Sequence, residues 1–351
     1  MGEKMKNTRQ ALREFGASFM GPAFLVYAKA VEAQGAGRVP VCLAREGWCF
    51  ERLLTRLQAQ SLVTFDNSPQ YLKVSRTLLF RANLGEKFLW PLALGNDFEG
   101  GMLDLMRKRF GLQMHEAFSV LPAELLQMHV KLPEQQDQVV KWLTPHLEQL
   151  KVLVAPTRQG VMAYLKALGL TEGPAPLMLD LGYSGTIQKL LTRMMQRETF
   201  GLYYVATKPG KSQQGGATAN LAGVFREGIS WGDGYQMLDR SLLFESLMTA
   251  PHGQVVDIRH DSDGGFEFCY GRQAATQRHF QDMQEVFDGA IEQVAEWLAA
   301  GVSFTPEEVE QMYENFATRQ GAIPQCAWHL FFVDDDFSGN GILNPLALFN
   351  I

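Results

Sequence analysis

The segment Asp180-Leu-Gly-Tyr-Ser-Gly-Thr186 ends the apolar run Pro176–Leu179 with a carboxylate, two glycines and two hydroxyls, and a helical pattern follows from Ile187 to Met195. Glycines let the backbone approach a ligand, amides that open a helix point outward, and hydroxyls add donors, a combination that suits phosphate. Gly182, Tyr183, Ser184, Gly185 and Thr186 are therefore candidate phosphate-holding residues. A plain strand-to-helix connection capped by Ser or Thr uses the same residue types. Asp180 favours the ligand reading, because a carboxylate ending an apolar strand is placed to hold sugar hydroxyls or a metal ion.

Three cations end other apolar runs in the same way. Arg45-Glu46-Gly47 follows Val39–Ala44, Arg76 follows Tyr71–Ser75, and Lys208 follows Gly201–Thr207. A guanidinium at such a position can take phosphate in bidentate fashion, although each cation alone also reads as a solvated surface charge. Glu245 and His252 frame a segment that would bring an acid and an imidazole near the same place, or cap and pack a helix. Asp334-Asp-Asp-Phe-Ser-Gly-Asn-Gly341 fails as a calcium loop because Pro345 stands where the twelfth-position Glu belongs, so it reads as an acidic turn. No GxSxG elbow, Walker lysine motif or HExxH occurs.

The elements that must position these residues follow from periodicity. Leu12, Phe15, Phe19, Phe24, Tyr27 and Val31 predict two helical pieces broken at Gly21-Pro22. Strands are expected at 38–44, 71–75, 152–154, 176–180 and 201–207, alternating with helices at 50–57, 160–168 and 187–195. Such alternation predicts a Rossmann-like or phosphoribosyltransferase-like α/β fold, a parallel sheet with helices on both faces. Ligands of such sheets collect at the carboxyl ends of strands. Residues 85–150, poor in β-branched residues and interrupted by prolines, predict a helical insertion or lid. A mobile loop is expected at Gly210–Gly216, a helix at 242–248, and a strand pair at 253–258 and 266–270. The stripe Met283, Val286, Phe287, Ile291, Val294, Trp297 and Leu298 predicts an amphipathic helix from Phe280. The expected division is an α/β domain over 1–270 and a helical C-terminal extension over 271–351.

Composition narrows the function classes. Of 351 residues 46% are hydrophobic and 20% charged, enough to bury a core and far from disorder. A net charge of -6 gives no basic footprint for coating nucleic acid. Cys42, Cys49, Cys269 and Cys326 form no CxxC pair and no zinc-like spacing with the seven histidines, so no metal-ligating set is expected. Free thiols point to a reducing, cytoplasmic setting. Met1–Lys6 carries neither the apolar stretch of a signal peptide nor a myristoylation pattern, and no run is long enough to span a membrane.

In order, Phe15-Gly16 to Pro22, Cys42-Leu-Ala-Arg45-Glu46-Gly47, Tyr71-Leu-Lys-Val-Ser-Arg76, Leu179-Asp180-Leu-Gly-Tyr-Ser-Gly-Thr-Ile-Gln188 and Glu245 before Ala250-Pro-His-Gly253 resemble a known pattern. It is that of the glycan phosphoribosyltransferase domain of bacterial two-domain ribofuranosyltransferases, over roughly residues 10–260. The resemblance implies transfer of a 5-phosphoribosyl group from phosphoribosyl diphosphate, with Mg²⁺ accompanying the donor, to a glycan or lipid-linked glycan hydroxyl in surface-polysaccharide synthesis. Arg45 and Arg76 would take the diphosphate with help from Lys208. Gly182–Thr186 would hold the 5-phosphate and Asp180 the ribose hydroxyls, and the general base would come from Glu46, Asp180 or Glu245. The family turn usually reads Arg-Asp-Gly where this chain has Arg45-Glu46-Gly47. The phosphatase domain that precedes the family pattern is not expected here, so a separate phosphatase would remove the 5-phosphate, or it stays on the product. Two rivals are a phosphohydrolase with Asp180 as nucleophile, although Gly182 holds the place of its second aspartate, and a module that binds a nucleotide or sugar phosphate without turnover.

Overall fold

A computed structural model describes residues 2–261 and 263–351, with side chains from residue 8 onward. The reading made on Met1–Lys6 therefore rests on side chains outside the described residues. In chain order, helices α1 (Gly2–Phe19) and α2 (Gly21–Gln34) precede β1 (Arg38–Leu43), α3 (Gly47–Ala59), β2 (Gln70–Leu72) and α4 (Arg76–Ala82). After a mainly helical stretch come α5 (Leu147–Ala167), β3 (Ala175–Tyr183), α6 (Thr186–Met195), β4 (Thr199–Ala206), β5 (Gly210–Gln214) and β6 (Ala217–Glu227). The C-terminal third adds α7 (Leu242–Leu247), α8 (Phe280–Ala299) and α9 (Pro306–Thr318).

The six strands form one sheet in the order β2-β1-β3-β4-β6-β5. All neighbours run parallel except the β5 edge, which is antiparallel to β6. This is the expected Rossmann-like α/β fold. Because β2 lies on one side of β1 and β3 on the other, the winding reverses between β1 and β3. Cys42 pairs with Leu179 there, so the carboxyl ends of these two strands leave the sheet side by side.

Strand alternation decides which helices cover which face. Leu177, Leu179 and Leu181 of β3 join Cys42 in one buried cluster with α1, α2, α3, α7, α8 and α9. Met178, Val39, Val41 and Leu43 face the other way, into a cluster built by α4, α5, α6 and the helices of residues 90–143. Asp180 shares the parity of Met178, so the strand's one acid follows the second face and emerges at its end. On α8 the buried set Met283, Val286, Phe287, Ala290, Ile291 and Val294 repeats at three and four, as the stripe predicts. Each such large side chain taken from water contributes about 2 kcal/mol.

Several boundaries differ from the sequence expectation. Val152–Val154 is no strand: α5 runs through it with Pro156 inside, and Val152 is exposed. Three apolar residues in a row fit either period. The expected loop at Gly210–Gly216 is the hairpin β5–β6, whose two-residue turn is Gly215-Gly216. An exposed edge strand carries no apolar signal. The Tyr71–Ser75 strand stops at Leu72, and Arg76 opens a helix that Ser75 caps by accepting from the Leu78 amide. The insertion 85–150 includes a small ribbon, Phe98–Gly101 with His129–Leu132, and its apolar residues belong to the sheet's second cluster. The C-terminal segment includes the ribbon Val333–Asp335 with Gly341–Leu343 beside its helices. Among the described residues no helix is long and apolar enough to cross a membrane.

Candidate active site at the strand switch point

The cleft lies where the winding reverses, the place at which open α/β sheets bind ligands. It has a volume of about 310 Å³ and takes walls from the ends of β1, β3 and β4, the start of α4, Glu245 of α7, and the C-terminal ribbon. Arg45, Glu46, Arg76, Asp180, Gly182, Tyr183, Ser184, Gly185, Thr186, Lys208 and Glu245 all line it. The four strand endings singled out in the sequence therefore converge.

Local geometry shows why these residues stand here. β3 continues through Tyr183, so the turn into α6 is only Ser184-Gly185, shorter than the expected Leu181–Thr186. Gly185 caps α6 at φ +73°, a conformation glycine takes without penalty, and a Cβ there would press on Leu221. Ser184 Oγ and Thr186 Oγ1 lie 3.2 Å apart at the opening of α6, and Lys189 Nζ donates to the Ser184 carbonyl at 2.7 Å. The peptide bond between Gly182 and Tyr183 is cis. On the β1 side, Gly47 starts α3 so close to the strand that a Cβ would overlap the Cys42 carbonyl. Ala44 takes the left-handed conformation at φ 58°, a strained position for a residue with a Cβ, on the lip of the cleft.

Cations and acids share the cleft. Asp180 is buried, with Oδ1 accepting from the Leu181 amide at 2.8 Å. Burial, then the nearby Glu46 and Glu245 carboxylates, hold its pKa well above the usual range, against the pull of that amide and of Arg76. Glu245 is half-buried and pushed up to about 7 by desolvation and by Glu46, while the Tyr183 hydroxyl, donating at 2.9 Å, and Arg76 and Arg45 oppose the rise. The Glu46 carboxylate thus makes both Asp180 and Glu245 harder to ionise. Burial and the neighbouring Lys208 lower the pKa of Lys189. The Arg76 guanidinium lies 4.1 Å from the Phe337 ring, and Arg109 lies 4.2 Å from the same ring. Arg109 is fully buried and donates to the carbonyls of Ala93, Asp97 and Phe337; burial, then Arg76, push it down to about 10. Its side-chain hydrogen bonds all go to carbonyls, leaving positive potential behind the Arg76 wall.

Two singled-out residues belong elsewhere. His252 does not line the cleft: Nδ1 donates to the Gly253 carbonyl at 2.8 Å and Nε2 accepts from Tyr71 at 3.0 Å, and burial lowers its pKa. Gln188 is buried and donates to Thr199 and the Asn220 carbonyl, locking α6 to the sheet. Sequence reading missed Asp334, Asp335, Phe337 and Trp231, which also line the cleft. Trp231 is 56% exposed and meets Tyr183 edge to face at 5.1 Å. The run of aspartates was visible, but nothing local ties it to a strand end some 150 residues earlier.

The fold and cleft define a Rossmann-like α/β protein with a charged site at its topological switch point. No protein-family model matches the chain, and no curated protein does.

Proposed function

We propose that the chain is a glycosyltransferase-type phosphoribosyltransferase that moves a 5-phosphoribosyl group from phosphoribosyl diphosphate to a glycan hydroxyl. The observation that carries the proposal is the convergence in one switch-point cleft of Arg45, Arg76 and Lys208, the Ser184–Thr186 turn, and the acids Asp180, Glu46 and Glu245. A donor with a phosphate at one end, a diphosphate at the other and hydroxyls between suits that combination of cations, turn and acids. The volume fits a small phosphorylated ligand.

In the proposed reaction the acceptor oxygen bonds to C1 of the ribose, and the bond from C1 to the diphosphate oxygen breaks. The electron pair leaves with the diphosphate, and the acceptor proton passes to a carboxylate. Arg45 and Arg76 stabilise charge gathering on the leaving group, with Arg109 adding potential through the Phe337 wall. The turn and α6 amides hold the 5-phosphate, with Lys208 close by. Asp180 holds the ribose hydroxyls. Glu245, at about 7, is matched to accept a proton near neutrality. Mg²⁺ would come with the donor's diphosphate and offset its charge; among the described residues the cleft acids form no close ligand set for it, and Asp334 is paired with Arg272 at 2.9 Å.

The test is diphosphate release from phosphoribosyl diphosphate with Mg²⁺, with and without lipid-linked glycans, for the wild type, Asp180→Asn and Arg45→Ala. Acceptor-stimulated release abolished by both substitutions is the expected result. Tight donor binding without release under any acceptor would make the protein a binding module, and no binding at all would end the donor assignment.

A further inference from the structure

Two segments 47 residues apart in sequence meet at the amino end of α8. His279 precedes α8 as its cap and Asp282 lies in its first turn. The 3-10 helix Gln325–Leu330 carries Cys326 and His329. His329 Nε2 stands 2.9 Å from Asp282 Oδ2, and the rings of His279 and His329 meet edge to face with centroids 4.9 Å apart. One ligand atom from each of His279, Asp282 and His329 lies within 4.8 Å of the other two.

The spacing of the residues adds an independent argument. Side chains three apart are neighbours on an α-helix and eclipse on a 3-10 helix. His279-x-x-Asp282 and Cys326-x-x-His329 therefore each turn two donors to one side. Cys326 is half-buried and stands one 3-10 turn before His329, outside the 4.8 Å set formed by His279, Asp282 and His329. An exposed His–Asp pair contributes at most about 1 kcal/mol and requires neither His279 nor Cys326 beside it.

We propose that His279, Asp282 and His329, with Cys326 as fourth ligand, bind a divalent transition metal of the Zn²⁺ class. Two imidazoles, a carboxylate and a thiolate are the donors Zn²⁺ takes in tetrahedral sites, with bonds of about 2.0–2.3 Å. Nitrogen and sulfur donors disfavour Mg²⁺ and Ca²⁺. The ligand atoms of His279, Asp282 and His329 start within 4.8 Å of one another, and binding would draw in the Cys326 sulfur as the fourth donor. On binding, the thiol proton passes to solvent and the metal replaces the His329–Asp282 hydrogen bond. The metal would fasten the Gln325–Leu330 helix to α8. Thr276 already ties this junction by donating to the Leu330 carbonyl at 2.6 Å, and the chain then runs directly to Asp334, Asp335 and Phe337 on the cleft. The site is independent of the activity proposed above.

The full chain, stripped with a chelator and dialysed, is titrated with Zn²⁺ against a chromophoric chelator, and separately loaded with Co²⁺. One equivalent of Zn²⁺ should bind and raise the Tm. Co²⁺ should give the intense visible bands of tetrahedral coordination and a sulfur-to-cobalt band in the near ultraviolet, which Cys326→Ser removes and Cys269→Ser keeps. His279→Ala and His329→Ala should each weaken Zn²⁺ binding more than about 100-fold, beyond the effect of losing an outer partner. Absence of stoichiometric Zn²⁺ uptake by the wild type, or unchanged affinity in both histidine variants, overturns the site. Because the wild-type Co²⁺ spectrum needs no variant to fold, octahedral bands alone also overturn it. A near-ultraviolet band that survives Cys326→Ser overturns the role of Cys326.

Discussion

At the scale of single residues, the cleft is governed by acids that burial and mutual repulsion keep from ionising freely. Glu245 has a folded pKa of about 7 against an ordinary 4.5. The unfolded chain therefore gives up this proton first, so the stability present below about 4.5 is lost as the pH rises through 7. Glu245→Gln should raise the Tm at pH 8, and that gain should shrink toward pH 4, as followed by thermal unfolding across the range. If the proposed activity holds, the same substitution should abolish acceptor-stimulated diphosphate release, and the wild-type rate should rise with pH through a limb near 7. Arg76 is held by Phe337 and capped into place by Ser75. Arg76→Ala should raise KM for the donor about tenfold or more, the cost of one charge-assisted contact to phosphate, with the Tm little changed. Steady-state kinetics at saturating acceptor would show this split. These residues were legible because a charge at the end of an apolar run stands out against its neighbours. Arg109 was not, since a basic residue beside Arg107 and Lys108 looks solvated until its helix is seen to turn it inward.

Among the elements, the junction of β1 and α3 sets the position of Arg45 and Glu46. Gly47→Ala drives a methyl group into the backbone of Cys42, which cannot yield as a flexible side chain would. A loss of ~2 kcal/mol in urea unfolding is expected, with the donor affinity falling as the Arg45 turn shifts. Periodicity predicted α1, α2, α3, α6, α8 and the strands β1, β3 and β4 because each carries one apolar face long enough to reveal its repeat. It misread α5 from three residues and overlooked both β6 and the edge strand β5, the latter because its ladder bonds come from the backbone and leave no mark on side-chain type. The Arg76 position was correct in place but wrong in kind: it opens a helix, because Ser75 satisfies the Leu78 amide and ends the extended segment.

For the whole molecule, the C-terminal segment belongs to the core of the sheet. Phe15 of α1 packs against Phe316 and Phe331, Arg13 pairs with Glu285 at 2.9 Å, and α8 fills the face beneath β3 and β4. A chain ending at residue 270 should therefore fail to unfold cooperatively and should expose the α1 and α2 aromatics, checked by circular dichroism melts and dye binding. It would also lack Asp334, Asp335 and Phe337 from the cleft wall.

The sequence by itself determined the alternation of strands and helices, hence an α/β sheet covered on both faces, and it marked Asp180, Arg45 and Lys208 as groups at strand ends, and Arg76 as a site residue although that residue opens a helix. Those are local properties, written in the period of apolar residues and in what interrupts it. Only the tertiary structure decided that β1 and β3 are neighbours at the reversal of winding, that Glu245 lines their cleft while His252 turns to Tyr71, and that Asp334 and Phe337 close it. Strand order and the return of a distant segment are set by long-range burial, summed over many weak contacts, and no short stretch of residues carries that sum.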